Sequence, residues 1–142
     1  MGGRYGMSFA SELNEEGRHD EAVAEATKAI DAGDVTAEPL IDRATAYDLL
    51  ERHAEAVADF ERAIEVNNVA QTVDADMLDD AYFSALVSAG KEAAETSKEA
   101  AAAGIGRYLR VLPSGRHVKD AQQWQARLRG ELVSLLDKSA AH

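Results

Sequence analysis

Two histidines, His19 and His53, stand thirty-four residues apart, each inside nearly the same wording: RHDEAVAEATKAI at 18–30 and RHAEAVADFERAI at 52–64. Imidazole is the commonest metal ligand, so a recurring histidine first raises a zinc site. The carboxylates Glu15-Glu16, Asp74-Asp76 and Asp79-Asp80 raise acid–base chemistry or calcium. None matches the calcium loop of alternating Asp or Asn with a central glycine and a closing Glu, and a glycosidase-like pair needs a sugar-sized cleft. Solvated helix starts account for these acids, because Asp near an N-terminus is favoured by the helix dipole. The glycines of GIGRY (104–108) follow an alanine-rich helix, whereas a phosphate cradle needs a strand, a glycine-rich turn and then a helix. Trp124 and Tyr108 have rings that could stack a ligand; both are expected instead to fill the core under the last helix. His117 is expected to open the last helix, and His142 lies at the chain's end.

The repeated wording explains the histidines better than metal does. Eight of the thirteen positions agree: Arg18/Arg52, His19/His53, Glu21/Glu55, Ala22/Ala56, Val23/Val57, Ala24/Ala58, Ala29/Ala63 and Ile30/Ile64. Strand signals are nearly missing, and the apolar spacing is helical. Leu40, Ala44, Tyr47 and Leu50 make one face; Ala56, Val57, Phe60, Ala63 and Ile64 make a second after the polar link Glu51-Arg52-His53. Each copy therefore reads as two short helices joined by a tight turn. Such a pair cannot bury both its faces alone and needs a stacked neighbour, which is a physical reason for repetition. Stacking separates equivalent residues by on the order of 10 Å. That is too far for His19 and His53 to share one zinc ion with ~2 Å bonds.

Residues 37–70, AEPLIDRATAYDLLERHAEAVADFERAIEVNNVA, resemble a tetratricopeptide repeat through Leu40, Ala44, Tyr47, Ala56, Phe60 and Ala63. Residues 3–36 match through Phe9, Ala10, Leu13, Ala22 and Ala29. They depart at Gly6, where a bulky residue is usual, and at Ala26, where an aromatic is usual. The second copy departs at Arg43, in place of an aliphatic residue, and at Asn68, in place of the closing proline. The resemblance implies that both histidines sit at the turn position where the family carries a packing ring.

After Ala70 the phase slips. Residues 74–89 read as a helix with Met77, Leu78, Ala81, Tyr82, Ala85 and Leu86 on its apolar face, broken or bent by Gly90. The segment from Lys91 to Pro113 reads as a long second helix that Gly104 and Gly106 could kink. Pro113-Ser114-Gly115 is a stop, and 117–138 carry Val118, Ala121, Trp124, Leu128, Leu132, Leu135 and Leu136 at helical spacing. The expected fold is all-α: a right-handed α-solenoid of antiparallel helix pairs within a single domain spanning 1–142. Its units are 3–36, 37–70 and 74–113, with a capping helix at 117–138.

At 142 residues the chain can bury a core without staples, and it has no cysteine, which suits a reducing, cytoplasmic compartment. No apolar run approaches the ~18 residues that span a bilayer. MGGRYG starts like a myristoylation site but has glycine at its sixth position, so that signal fails; Met7 is an alternative start. Net charge is -11, with sixteen acidic and six basic side chains in residues 1–70 but three and five in 113–142. An acidic body argues against nucleic acid, whose phosphates call for clustered Lys and Arg. It favours a basic partner, or merely solubility.

The resemblance places a partner in the groove lined by the first helix of each unit. The lining residues become Arg4, Met7, Ser11, Asn14 and Glu15, then Glu38, Ile41, Thr45, Asp48 and Leu49. The lysine and asparagine clamp by which some members grip a terminal carboxylate is replaced by Met7, Ser11, Ile41 and Thr45. What remains is an apolar strip edged by acid, suited to an amphipathic helix or an extended segment with basic flanks, unless the chain's own later helices fill it. The expected role is a non-enzymatic adaptor for a protein or peptide, with no cofactor or metal. The alternative is a homo-oligomer joining acidic repeats to the basic last helix.

Overall fold

The computed structural model describes residues 8–140, with side chains described as far as residue 130. Seven helices are present among them, and no strand: α1 Phe9–Glu15, α2 His19–Asp31, α3 Glu38–Leu49, α4 His53–Ala70, α5 Ala75–Ala94, α6 Lys98–Val111 and α7 Val118–Ala140. This is an all-α chain of the α-solenoid class. It clusters into two compact units, divided between Leu78 and Asp79.

In the first unit, α1 packs on α2, α2 on α3 and α3 on α4, while α1 also meets α3. That last contact brings equivalent helices of the two copies side by side. Small residues allow the close approach: Ala22, Ala44, Ala46, Ala56 and Ala63 have no exposed surface. Leu13 packs with Ala22 and Ala46, with Val23 against them, and Leu40, Val57 and Phe60 are buried.

The turns repeat as faithfully as the helices. In the α1–α2 turn the Arg18 amide donates to the Leu13 carbonyl at 2.9 Å and the Gly17 amide to Asn14 at 3.1 Å. In the α3–α4 turn the Arg52 amide donates to Tyr47 at 2.8 Å and the Glu51 amide to Asp48 at 3.0 Å. Both are Schellman closures, which require a left-handed residue just past the helix. Gly17 supplies it at φ 79° and Glu51 at φ 61°.

Arg43 finds its reason in Asp59. The guanidinium donates to both carboxylate oxygens, at 2.8 and 2.9 Å, and to the Thr27 hydroxyl at 3.2 Å, tying α3 to α4 and α2. The Asp59 hydrogen bond holds the Arg43 pKa above its ordinary value. Without a proline at position 68, α4 runs on to Ala70 and closes on left-handed Gln71. Buried Asn67 then accepts the amides of Thr72 and Val73 and donates to the Val73 carbonyl, fixing the exit of the chain.

In the second unit, α6 packs on α7, with Ala101, Ala102 and Leu128 at its centre and Trp124 alongside. Gly90 does not break α5, which continues to Ala94. A β-carbon at Gly90 would run into the Trp124 indole, so this glycine is a seat for the ring and not a stop. The long helix expected from Lys91 onward is interrupted by a turn at Glu95–Ser97. Ser97 caps α6 by accepting the Ala100 amide at 3.1 Å, and α6 passes through Gly104 and Gly106 to Val111. Leu132, Leu135 and Leu136 lie outside the described side chains.

Candidate functional site

The two histidines have the same job. His19 Nδ1 lies 3.0 Å from Asn14 Oδ1, and His53 Nδ1 lies 2.7 Å from Asp48 Oδ1. Each begins the second helix of a pair and reaches back to the last turn of the first. Each neighbouring arginine pairs with the glutamate three residues on, Arg18 with Glu21 and Arg52 with Glu55. Among the described residues no group of three or more His, Asp or Glu has the placement to hold a metal.

Of the ten expected groove residues, Arg4 and Met7 lie outside the described residues. Ser11, Glu38 and Ile41 line one cleft of about 260 Å³ together with Ser8, Asp42, Val73 and Met77. Met77, expected on an apolar helix face, is 45% exposed and joins Ile41 and Val73 as the apolar side chains of this cleft. Asn14 donates to the Asp42 carbonyl at 2.9 Å besides meeting His19, and Asp48 holds His53, so both serve the turns. Thr45 is half-buried, Glu15 lies exposed at the end of α1, and Leu49 is 56% exposed at the end of α3.

Asp42 was not among the expected lining residues, yet it stands at the centre. It accepts the Ser8 hydroxyl at 2.6 Å. Burial pushes its carboxyl above the ordinary value; the Ser8 hydrogen bond opposes this, and the charge of Glu38 adds to the rise. Glu38 in turn accepts the Thr72 hydroxyl. The sequence clue was its place one turn after Glu38 on a face that also carries Ile41 and Thr45.

A second polar cluster lies wholly in the second unit. Asp79, expected on a solvated helix start, is buried, and accepts the Tyr108 hydroxyl at 2.5 Å and the Arg116 amide at 2.8 Å. The same hydroxyl accepts the His117 amide at 2.9 Å. Asp80 meets His117 Nε2 at 2.7 Å and Arg116 Nη1 at 3.0 Å, and the His117 ring stacks on Phe83 at 4.4 Å. Burial, then the Asp79 hydrogen bond, push the Tyr108 hydroxyl far above the usual phenol range. Tyr108 is thus held protonated as a donor, and the cluster fastens the start of α7. Of the acids read as helix starts, Asp74 does fit: its carboxylate accepts the Asp76 amide at 2.8 Å.

The family model for the tetratricopeptide repeat matches residues 37–69, which are Ala37, α3, the turn after it and α4 up to Val69. Over this segment the chain carries a tetratricopeptide repeat. Such repeats are protein–protein interaction modules in general, bind proteins or peptides, and are generally non-catalytic. No curated protein matches the chain. No helix among the described residues is long and apolar enough to cross a membrane.

Proposed function

We propose that this protein is a non-enzymatic, cytoplasmic adaptor whose first unit holds a peptide or a segment of a partner protein of basic character. The supporting observation is the cleft where Ile41, Val73 and half-exposed Met77 meet Ser11, Glu38 and Asp42. Apolar side chains there offer an anchor its burial, while the carboxylates favour flanking Lys or Arg and speed encounter. The test is capture of partners by the wild type against Ile41→Glu and Leu49→Glu. Loss of the captured set with helical content unchanged supports the groove; an unchanged set removes it.

Self-association is the second reading, favoured by exposed Lys119, Arg127 and Arg129 on α7 against the acidic first unit. Light scattering from 20 mM to 500 mM salt separates the two readings. A chain that stays monomeric at low salt and high concentration excludes self-association.

A further inference from the structure

Beside the groove lies a larger cleft of about 420 Å³, between α1, α2 and α3. It lies beside one substitution between the copies. Phe60 is buried in the second copy, 3% exposed. The register of the repeat puts Ala26 at the same place in the first. The ring that closes one copy is missing from the other; Ala29 and the 57% exposed ring of Phe9 face the cleft, with Ala26, 1% exposed, and buried Pro39 beneath them.

The rim is as one-sided as the floor is apolar. Glu25, Asp34, Glu38 and Asp42 line it, with no basic side chain among the lining residues. Glu25 is engaged with Lys28 at 3.0 Å. Among the described residues the other three each use a single oxygen. Asp34 Oδ1 accepts the amide and hydroxyl of Thr36, Asp42 Oδ2 accepts Ser8, and Glu38 Oε1 accepts Thr72. Three carboxylate oxygens around an apolar floor are left to accept.

We infer that this cleft receives an arginine side chain from the basic partner segment, its methylenes against Ala29, above the covered Ala26 and Pro39, and its guanidinium among Asp34, Glu38 and Asp42. The assignment rests on the adaptor reading and extends it, since Ser8, Glu38 and Asp42 line both clefts. A neutral apolar occupant would cover carboxylates without partnering them, which is costly. An anion would be repelled, and the acids are not spaced to hold a metal ion. A long cationic side chain meets both surfaces at once, because its stem is apolar and its head charged. Arginine does so better than lysine, because its planar fork can pair with two carboxylates and lie over the Phe9 ring. The raised pKa of Asp42 agrees, since an arriving cation relieves a half-buried carboxylate crowded by Glu38.

The test is methyl NMR of alanine-labelled full-length protein titrated with Ac-Ala-Ala-Arg-Ala-Ala-NH2 and with the same peptide carrying Leu or Glu at its centre. Saturable shifts of the Ala26 and Ala29 methyls with the arginine peptide, weakened by salt and at least tenfold weaker with the other two, support the proposal. Ala26→Phe, which installs the ring of the second copy, should weaken binding at least tenfold. Should that variant lose its helical spectrum, Glu38→Gln with Asp42→Asn decides, with a severalfold loss expected. Arginine-peptide shifts in the wild type together with a captured set that Ile41→Glu leaves unchanged would mean a failed groove and a standing cleft, so the two failures are distinguishable. The proposal is overturned if no shift appears at 10 mM peptide, if the leucine peptide shifts the methyls equally, or if binding survives a folded Ala26→Phe. Binding that appears only after deletion of residues 1–7 overturns it in favour of the chain's own start. Shifts that grow with protein concentration in the absence of peptide overturn it in favour of a second copy.

Discussion

Glu51 holds the same left-handed backbone conformation as Gly17 one repeat earlier, at φ 61° against 79°, and closes the same turn. For an L-residue that conformation costs roughly 1–2 kcal/mol, whereas glycine adopts it freely. Glycine also loses more freedom on folding, which returns part of the gain. Glu51→Gly should therefore stabilise the first unit by about 0.5–1 kcal/mol. Gly17→Ala should destabilise it by about 1 kcal/mol. No atom lies within 4 Å of a β-carbon built at Gly17, so the second change isolates backbone strain from crowding. Urea midpoints of the two variants, moving in opposite directions, are the check.

Arg43 and Asp59 form a part-buried bidentate ion pair, their side chains 17% and 9% exposed. Removing one member leaves the other charged and largely covered, which costs up to about 3 kcal/mol for a pair at this depth. Asp59→Ala and Arg43→Ala should each lose on that order. The double replacement Arg43→Met with Asp59→Leu should lie within about 1 kcal/mol of wild type, since paired apolar residues substitute well for a buried pair. Chemical denaturation of the three variants measures it. Additive losses in a double-mutant cycle of the alanine variants would refute the coupling.

Gly90 and Trp124 predict a different kind of loss. A methyl at position 90 meets the six-membered ring of the only tryptophan in the chain, so either the indole or α5 must give way. Overpacking of this type costs about 1–3 kcal/mol. Gly90→Ala should lower the melting temperature and shift the Trp124 emission to longer wavelength as the ring moves toward water. Gly104→Ala is the matched control. It sits in α6 with nothing within 4 Å of its β-carbon, and it should stabilise by about 0.5–1 kcal/mol through helix propensity.

These cases mark what could be read from the chain and what could not. The repeat at 18–30 and 52–64 was legible because the same helix contacts demand the same small residues, and Ala22, Ala56 and Ala63 are buried as that argument requires. The turns were legible for the same reason. Gly90 was not, because a glycine within an apolar run looks like a stop until the ring that occupies its missing side chain is known. Asp79 was hidden by its neighbour: two adjacent acids on a helix resemble a wet face, and the hydroxyl that buries one of them lies twenty-nine residues further on. The larger cleft was half visible. Ala26 stood out where a ring was expected, but a missing ring implies a cavity only once its walls are in place.

Tyr108 provides a prediction with a pH sign. Its hydroxyl donates to buried Asp79 and accepts the His117 amide, so Tyr108→Phe keeps the ring but leaves a carboxylate and an amide each short of a partner. The expected cost is about 1–3 kcal/mol below pH 9. Burial and the Asp79 hydrogen bond raise the folded pKa of Tyr108 above the unfolded phenol value of about 10. The folded state therefore holds this proton more tightly than the unfolded state. The stabilisation is complete below about pH 10 and is lost as pH rises from there toward the folded pKa. Wild type should thus lose stability above pH 10 more steeply than Tyr108→Phe, and the gap between them should narrow. The difference in absorbance at 295 nm between the two folded proteins should contain no phenolate signal at pH 10, where half of a free phenol is ionised. A phenolate signal from Tyr108 at that pH, with the fold intact, would contradict the buried Asp79–Tyr108 hydrogen bond.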